Sequence, residues 1–98
     1  LPGQPLIQYG LASALLAGND EEGARQAADL LETVTRVEPD HLGAWRLLAQ
    51  AYGRAGRTAE ADLALAEIAW RRQDRERFDF HHARAGQALK SAPPSSRA

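Results

Sequence analysis

The sequence predicts an all-α fold, and three observations lead to that class. Alanine, leucine, arginine, glutamate and glutamine dominate the middle of the chain, whereas β-branched residues are sparse. Residues that end or begin helices divide the chain into five segments. The connections between segments are only two or three residues long, and such short connections place consecutive helices antiparallel. The expected architecture is therefore a stack of helix hairpins.

Each connection contains residues that stop one helix or start the next. Glycine and asparagine tolerate the left-handed conformation that ends helices, proline cannot continue a helix, and aspartate or threonine can cap the next one. The four connections, in chain order, are Gly18-Asn19-Asp20, Glu38-Pro39-Asp40, Gly56-Arg57-Thr58 and Gln73-Asp74. The expected helices are residues 5–17, 20–37, 41–55, 58–72 and 75–90.

The two ends of the chain lack apolar periodicity. Residues 1–4 include Pro2 and Gly3, and residues 91–98 form a tail rich in proline and serine. We expect both ends to be disordered or lightly docked, with a helical repeat domain between them at residues 5–90. The sequence begins at Leu1 and not at a methionine, so we expect it to be a piece cut from a longer protein.

Length and composition exclude several classes of function. A chain of 98 residues forms one domain at most. Its 12 basic and 13 acidic residues are intermixed, unlike the basic footprint of a nucleic-acid-binding protein. Without cysteine, the chain has no disulfide framework, thiolate zinc site or cysteine nucleophile. No apolar run approaches the ~18 residues of a membrane span, so we expect no direct membrane insertion.

The chain contains an internal repeat. A shift of 37 residues places Leu11-Ala12-Ser13-Ala14-Leu15 on Leu48-Ala49-Gln50-Ala51-Tyr52. The same shift also aligns second-helix positions, with Ala24 on Ala61, Ala27 on Ala64 and Leu31 on Ile68. A repeat of ~34–40 residues built from two helices is typical of an α-solenoid. We expect many of the 20 alanines to lie where paired helices approach closely, as at Ala12, Ala24, Ala49 and Ala61.

The second copy resembles a tetratricopeptide repeat. Trp45, Leu48 and Tyr52 fall three or four residues apart on one helix stripe, and small residues stand at the close-packing positions Ala49 and Ala61. The remaining signature positions are Gly56, Leu65 and Ile68, with Pro39 six residues before the tryptophan. The resemblance implies a right-handed α-solenoid of about five helices, or two and a half hairpins.

Three positions depart from that repeat pattern. Gln8 and Leu15 replace the usual tryptophan and tyrosine in the first copy, and Gln73 stands where a proline would end the second. The alternative interpretation is an unrelated bundle of helical hairpins with alanine-rich contacts.

A closer resemblance is to the C-terminal repeat region of periplasmic zinc metallopeptidases. It rests on AWRLLAQAYGR at 44–54, ADLALAE at 61–67, YGLA at 9–12 and the Gln73-Asp74 turn, and it spans about residues 7–90. In that family, helical repeats follow a catalytic domain with an HExxH helix. The tail of this chain departs from the family pattern. Members of the family usually continue into a further helix with a Pro-x-Trp stretch, whereas this chain has Pro-Pro-Ser-Ser at 93–96. The resemblance implies a periplasmic module that positions substrates or partner subunits. The alternative is that the chain belongs to an unrelated protein, for which a cytoplasmic location is also open.

No catalytic constellation is present in the sequence. An HExxH pair is absent, and the adjacent His81 and His82 point ~100° apart on a helix, so they are poorly placed to share one metal ion. His41 stands at a helix start, where we expect it to be partly exposed or to cap the helix. No phosphate-binding glycine loop or nucleophile elbow occurs. The acidic residues 20–22 lie in the first turn of a predicted helix, where the helix dipole and the free N–H groups stabilise negative charge. We therefore predict a non-enzymatic chain without cofactor or metal.

A polypeptide-binding groove is the main candidate site. First helices of successive repeats line the concave side of such stacks. The residues that recur every four positions, away from the packing stripe, are Tyr9, Ser13, Arg46, Gln50 and Arg54. In peptide-binding repeats such positions hold cations and amides that clamp a C-terminal carboxylate. Because Tyr9 replaces the usual cation, the resemblance implies only a general groove for an extended peptide or an acidic surface. Solvent-exposed helix faces are the alternative.

The last helix offers a second candidate surface. Phe78, His82, Ala85 and Leu89 form a stripe expected to pack on helix 58–72, including Trp70. Phe80 lies about 200° around the helix from Phe78 and belongs to another face. We expect Phe80 to bury against a second copy or against the missing part of the parent chain, such as its catalytic domain. The alternative is that Phe80 folds back on the tail of this chain. The alternative to a peptide-binding module is thus a structural role, as a homodimer or by intramolecular docking.

Overall fold

The computed structural model describes residues 4–91 and contains five α-helices there. They are α1 (Pro5–Ala17), α2 (Glu21–Val37), α3 (Leu42–Arg54), α4 (Thr58–Arg71) and α5 (Arg75–Ser91). No strand occurs among the described residues, so the predicted all-α class is confirmed. Every helix begins and ends within one residue of its predicted bounds. Of the ends predicted to be disordered or lightly docked, residues 1–4 and 91–98, all but two residues lie outside the described part of the chain. Gln4 directly precedes α1, and Ser91 belongs to α5, contrary to the prediction.

Specific contacts at the helix ends explain these bounds. His41 Nδ1 accepts a hydrogen bond at 3.0 Å from the N–H three residues on and so caps α3, as predicted. The Asp74 carboxylate caps α5 in the same way, at 3.1 Å. Helices α3 and α4 are both followed by a left-handed residue, Gly56 with φ 79° and Gln73 with φ 58°. Glycine adopts that conformation without steric cost, whereas glutamine loses about 1 kcal/mol there.

Each helix packs against its neighbours in sequence, and α1 also touches α3. No other pair of helices in residues 4–91 approaches at the backbone. The hairpins α1–α2 and α3–α4 therefore lie side by side with α2 against α3, and α5 packs on α4 alone. The whole arrangement measures 39 × 34 × 22 Å.

Alanine forms most of the core. Leu31 and Val34 on α2 are the largest fully buried side chains. Around them lie alanines that let the helix backbones come close, namely Ala12, Ala24, Ala27, Ala28, Ala44 and Ala51. Of the alanines predicted for close packing, Ala12, Ala24 and Ala49 are buried, and Ala61 is partly buried against the core. The alanine content is thus a packing requirement of paired helices.

The tryptophan of the repeat pattern holds the turn between α2 and α3. Trp45 Nε1 donates a hydrogen bond to the carbonyl oxygen of Pro39 at 2.7 Å. The Arg71 guanidinium lies over the indole ring, 5.1 Å from its centroid, and also reaches the Asp40 carboxylate at 3.4 Å. The six-residue offset between proline and tryptophan therefore has a direct meaning: the tryptophan binds the turn that precedes its own helix.

Candidate functional site

The residues predicted to bind a polypeptide lie on α1 and α3, which touch each other. Four-residue spacing aligns them along one side of each helix. Ser13, Arg46, Gln50 and Arg54 are exposed, and Tyr9 is half-buried. The structure thus brings the five residues to one pair of helices, although their individual environments differ.

Tyr9 lies at the contact between α1 and the start of α3. Its ring packs against the His41 ring with a centroid distance of 4.8 Å and a tilt of 36°. Its hydroxyl lies 2.9 Å from the point where a β-carbon would stand on Gly43. Glycine at position 43 therefore leaves the space that the phenol occupies. The tyrosine borders the predicted groove and also holds α1 against α3.

Arg54 has a structural role that the sequence did not indicate. Its Nη1 donates hydrogen bonds to the carbonyl oxygens of Leu16 at 2.5 Å and Gly18 at 3.4 Å. These carbonyls lie at the C-terminal end of α1, where backbone acceptors are unsatisfied and the helix dipole is negative. The guanidinium therefore caps α1 from the last turn of α3. In the unliganded chain Arg54 joins the two helices of the groove.

Arg46 and Gln50 are the exposed polar groups at the centre of the α3 stripe. Arg46 forms no ion pair with any residue from 4 to 91. Helices α1 and α3 contain two arginines and no aspartate or glutamate between them. The surface of this helix pair is therefore locally positive, although the chain as a whole has a net charge of −1. A planar guanidinium with free donors suits carboxylates or backbone carbonyls of a ligand.

A second polar cluster lies where α2, α3 and α4 meet. The Tyr52 hydroxyl donates a hydrogen bond to the Glu32 carboxylate, and the Arg57 guanidinium lies 4.7 Å from the Tyr52 ring centroid. Arg57 also forms a two-point ion pair with Glu60. Burial, together with the hydrogen bond to Glu32, raises the pKa of Tyr52. The hydrogen bond to Glu60 raises the pKa of Arg57. These groups fix the hairpins together, and sequence reasoning missed the role of Glu32.

The contact between α4 and α5 is partly polar. Asp62, which is only 6% exposed, lies 2.9 Å from His81 Nδ1 and 3.4 Å from Arg84 Nε. On α5, Ala85 is buried, but Leu89 is 52% exposed. The predicted stripe is confirmed at Phe78, which packs on Trp70, and at Ala85, which is buried. It is wrong at His82 and Leu89, which are exposed, and His81 contacts α4 instead. The buried carboxylate of Asp62 requires partners, and this requirement sets the rotation of α5.

Aromatic side chains line an open cleft at the turn between α4 and α5. The Trp70 and Phe78 ring centroids are 5.4 Å apart, and Phe78 stacks on His82 at 5.3 Å. The cleft measures about 570 Å³ and also contains Gln73 and Asp79. The predicted proximity of Trp70 and Phe78 is thus confirmed.

Phe80 lies on another face of α5, as predicted, and is 54% exposed. Its ring is not isolated, because the Arg84 guanidinium lies 5.3 Å from the ring centroid and His81 packs edge-on at 5.1 Å. The face carrying Phe80 is a mixed aromatic and cationic surface.

Residues 4–91 contain neither a metal-binding cluster nor a membrane-spanning helix. No group of three or more histidine, aspartate or glutamate side chains is arranged there to hold a metal ion. None of the described helices combines the length and apolarity needed to cross a membrane. Comparison with protein-family models, with curated proteins and with solved structures finds no match to this chain. The resemblances to tetratricopeptide repeats and to metallopeptidases stay predictions from the sequence.

Proposed function

We propose that this chain is a non-catalytic helical-repeat module of the tetratricopeptide type, which binds a polypeptide on the surface of α1 and α3. One observation supports it above the others. The two first helices of the repeat lie in contact and carry exposed polar groups every four residues, without an acidic side chain. Such a surface attracts an extended segment that carries aspartate or glutamate.

Each residue of the groove would make a different kind of contact with the bound polypeptide. Arg46 has free guanidinium donors for a ligand carboxylate, and the Gln50 amide can both donate to and accept from a ligand backbone. Ser13 adds a hydroxyl on α1. Tyr9 offers a ring edge beside these polar groups. Arg54 contributes positive charge while it caps α1.

The contacts among helices support a solenoid arrangement. Helices that are consecutive in sequence pack together, and the repeat-equivalent helices α1 and α3 also touch. In a curved stack of hairpins the first helices lie on the concave side, where they approach each other. The second helices α2 and α4 do not approach at the backbone, which fits the wider, convex side.

The resemblance of residues 44–54 and 61–67 to metallopeptidase repeats extends the proposal. We infer that the module belongs to a periplasmic zinc metallopeptidase and positions substrates or partner subunits for its catalytic domain. The complete coding sequence tests this inference. An HExxH helix and a secretion signal in the same polypeptide are expected, and their absence there would contradict the parentage while leaving peptide binding untouched.

Peptide binding can be tested with charge-matched probes. Fluorescently labelled 12-residue peptides, one set bearing aspartate and glutamate and the other lysine and arginine, are titrated with the whole chain. Acidic peptides are expected to bind more tightly, with weaker binding at high salt. Arg46→Glu should weaken binding at least about tenfold, equal to ~1.4 kcal/mol. The exposed Arg36 on α2 gives the matched control, because Arg36→Glu changes net charge equally. Equal losses in both variants, or no preference for acidic peptides, would reject the groove.

The exposure of Phe80 supports a second candidate function, a structural role in which α5 docks on a second copy or on the parent's catalytic domain. Hydrogen exchange distinguishes it from peptide binding. Docking through Phe80 predicts that α5 amides are protected without added peptide and lose protection in Phe80→Ser. The groove proposal predicts added protection in α1 and α3 only with peptide present.

A further inference from the structure

Helix α1 has an apolar face that no other described helix covers. Ile7 and Leu11 are 48% and 51% exposed, and Ala14 on the same side of the helix is exposed as well. We call these three residues the open face of α1. Beside it, Leu6 is 81% exposed. A surface helix normally turns polar residues outward, so the open face indicates a neighbour that covers it.

The internal repeat shows what happens to the open face in the second copy. The 37-residue shift matches its three residues with three residues of α3, namely Ile7 with Ala44, Leu11 with Leu48 and Ala14 with Ala51. Those residues of α3 are 0%, 2% and 0% exposed. The same positions of the repeat are therefore buried on α3 and open on α1.

The helix that covers this face of α3 is α2, which precedes α3 in the chain. Helix α3 contacts α1, α2 and α4. Trp45 marks its α4 side, because Arg71 stacks on the indole, and Gly43 marks its α1 side, beside the Tyr9 hydroxyl. The equivalent of the open face lies between these two sides around the helix, where α2 packs. In this repeat, a first helix is thus covered by the helix before it.

The turn that joins α2 to α3 also has a counterpart in the sequence before α1. That turn contains Pro39, six residues before Trp45. The same 37-residue shift places Pro2 on Pro39, six residues before Gln8. Proline cannot continue a helix, and a connection this short places the two helices that it joins side by side and antiparallel. The sequence before α1 therefore matches a connection from a preceding helix.

We infer that a helix directly preceding Leu1 in the parent polypeptide packs antiparallel on the open face of α1, as α2 packs on α3. Val37, the last residue of α2, corresponds to the position just before Leu1, so the preceding helix would end there. Its inner side would resemble that of α2, which has small residues in its first half and larger ones in its second. The buried residues of α2 are Gly23, Ala24, Ala27, Ala28, Leu31, Val34 and Thr35.

The repeat selects this occupant over other apolar partners. A second copy or an unrelated protein would also fit a face without charge, but neither accounts for the match of Pro2 with Pro39. Repeats of this kind bury a continuous core only by stacking on their neighbours in the chain. A preceding helix accounts for both the open face and the matching turn.

Covering the open face leaves the predicted groove accessible. On α3 the groove residues Arg46 and Gln50 are exposed, although α2 covers the adjacent Leu48. Ser13 borders the open face of α1 and matches Gln50, so it should stay exposed in the same way. The inference therefore does not rest on the proposed peptide binding, and Ser13 and Ala14 report on two different surfaces.

Single cysteines at these adjacent positions test the inference, because the 98-residue chain contains none. Ser13 and Ala14 are both exposed, so Ser13→Cys and Ala14→Cys should react with a maleimide at similar rates in this chain. In the complete polypeptide, Ala14→Cys should react at least about tenfold more slowly, because the preceding helix must open first. Ser13→Cys, the matched control, should keep its rate. Mass spectrometry of the fragment containing residues 13 and 14 measures the labelling.

Hydrogen exchange of the unmodified protein gives a second readout, in case a cysteine at position 14 loosens the packing. Amides of α1 should exchange more slowly in the complete polypeptide than in the 98-residue chain. Equal exchange in both proteins would overturn the inference, and so would a coding sequence without a helix-forming segment directly before Leu1.

Two further outcomes assign the open face or the groove to other partners. Labelling of Ala14→Cys that slows as the concentration of the 98-residue chain rises would replace the preceding helix by a second copy. Protection of Ser13→Cys by an added acidic peptide, with Ala14→Cys unaffected, would support the groove alone. Failure of the peptide to protect Ser13→Cys, with Ala14→Cys protected in the complete polypeptide, would reject the groove and support the preceding helix.

Discussion

The two end helices, α1 and α5, are attached to the molecule by different interactions. Helix α1 buries Ala12 and Leu16 in the core and has an apolar outer face without charge. Across residues 75–90 of α5 only Ala85 is buried, and the helix holds α4 through the polar contact between His81 and the buried Asp62. Its outer face is highly charged.

The two helices differ most in the polarity of their outer faces. A helix that ends a stack of repeats needs a polar outer side, and α5 meets that need apart from Phe80. Helix α1 instead leaves the apolar side chains of Leu6, Ile7 and Leu11 exposed. The outer face of α5 is therefore mainly polar, whereas the outer face of α1 is mainly apolar. The predictions that follow test how separable the two ends are.

The largest effect is expected where α1 enters the core. Leu16 is 5% exposed, so Leu16→Ala removes buried methyl groups and leaves a cavity, at a cost of about 2–5 kcal/mol in the free energy of unfolding. Leu11→Ala, on the half-exposed outer face of the same helix, is the control and should cost less than half as much. Chemical denaturation of both variants measures the difference. Similar losses would show that the two faces of α1 are not distinct.

A smaller and more local effect is expected at the polar end. Asp62→Ala removes the buried carboxylate that His81 and Arg84 contact, at a cost of about 1–3 kcal/mol. Hydrogen exchange should show faster exchange in α5 while α1 and α2 stay unchanged, because α5 packs on α4 alone. Asp62→Asn, which keeps an acceptor for His81, should lose less. Faster exchange spread over all five helices would contradict a separately attached α5.

The sequence predicted most of this fold and only part of the site, for a physical reason. Helix bounds depend on local signals, so residues such as Pro39, Gly56 and Asp74 were enough to place them within one residue. The rotation of α5 depends on Asp62, which lies 19 residues from its partner His81. Apolar periodicity alone predicts a rotation of α5 that buries Leu89, because it takes no account of Asp62 on the neighbouring helix. The signal in the sequence was an aspartate, Asp62, among the alanines of a predicted helix, which would need a polar partner if it were buried.

In the predicted groove, too, features set by neighbouring residues were predictable, and contacts between residues far apart in the sequence were not. Four-residue spacing placed Arg46, Gln50 and Arg54 along one side of α3, and the structure has them exposed there. The cap that Arg54 forms on α1 joins residues 38 apart, at Leu16, and no local pattern encodes it. The space that Gly43 leaves for Tyr9 is likewise a contact between repeats.

The stability of the chain should depend on pH through Tyr52, whose hydroxyl joins the two hairpins at Glu32. The raised pKa of Tyr52 means that the folded chain holds its proton at pH values where the unfolded chain, with a tyrosine pKa near ~10, has lost it. The stabilisation is complete below the pKa of the unfolded chain and is lost as the pH rises from there towards the higher pKa of the folded chain. The melting temperature of the wild-type chain should therefore fall above about pH 10. Tyr52→Phe should reduce that fall, whereas Tyr9→Phe serves as the control. Identical pH profiles for wild type and Tyr52→Phe would refute the assignment.

The smallest effect is expected at the turn before α5. Gln73 adopts a left-handed conformation that Gly56 adopts at the equivalent end of α3. Gln73→Gly should relieve strain and stabilise the chain by about 0.5–1 kcal/mol. Gly56→Gln, the reverse change, should destabilise it by a similar amount. Thermal denaturation measures both, and a destabilised Gln73→Gly would contradict the comparison of the two turns.

The central claim is that the surface shared by α1 and α3 binds a polypeptide. Its most direct test is an NMR titration of the isotopically labelled chain with an acidic peptide, monitored through backbone amides and the Arg46 side chain. We predict that the resonances of Ser13, Arg46 and Gln50 shift progressively, while those of α5 stay in place. Shifts confined to α5 and the aromatic cleft at Trp70, or no shifts at millimolar peptide, would contradict the claim.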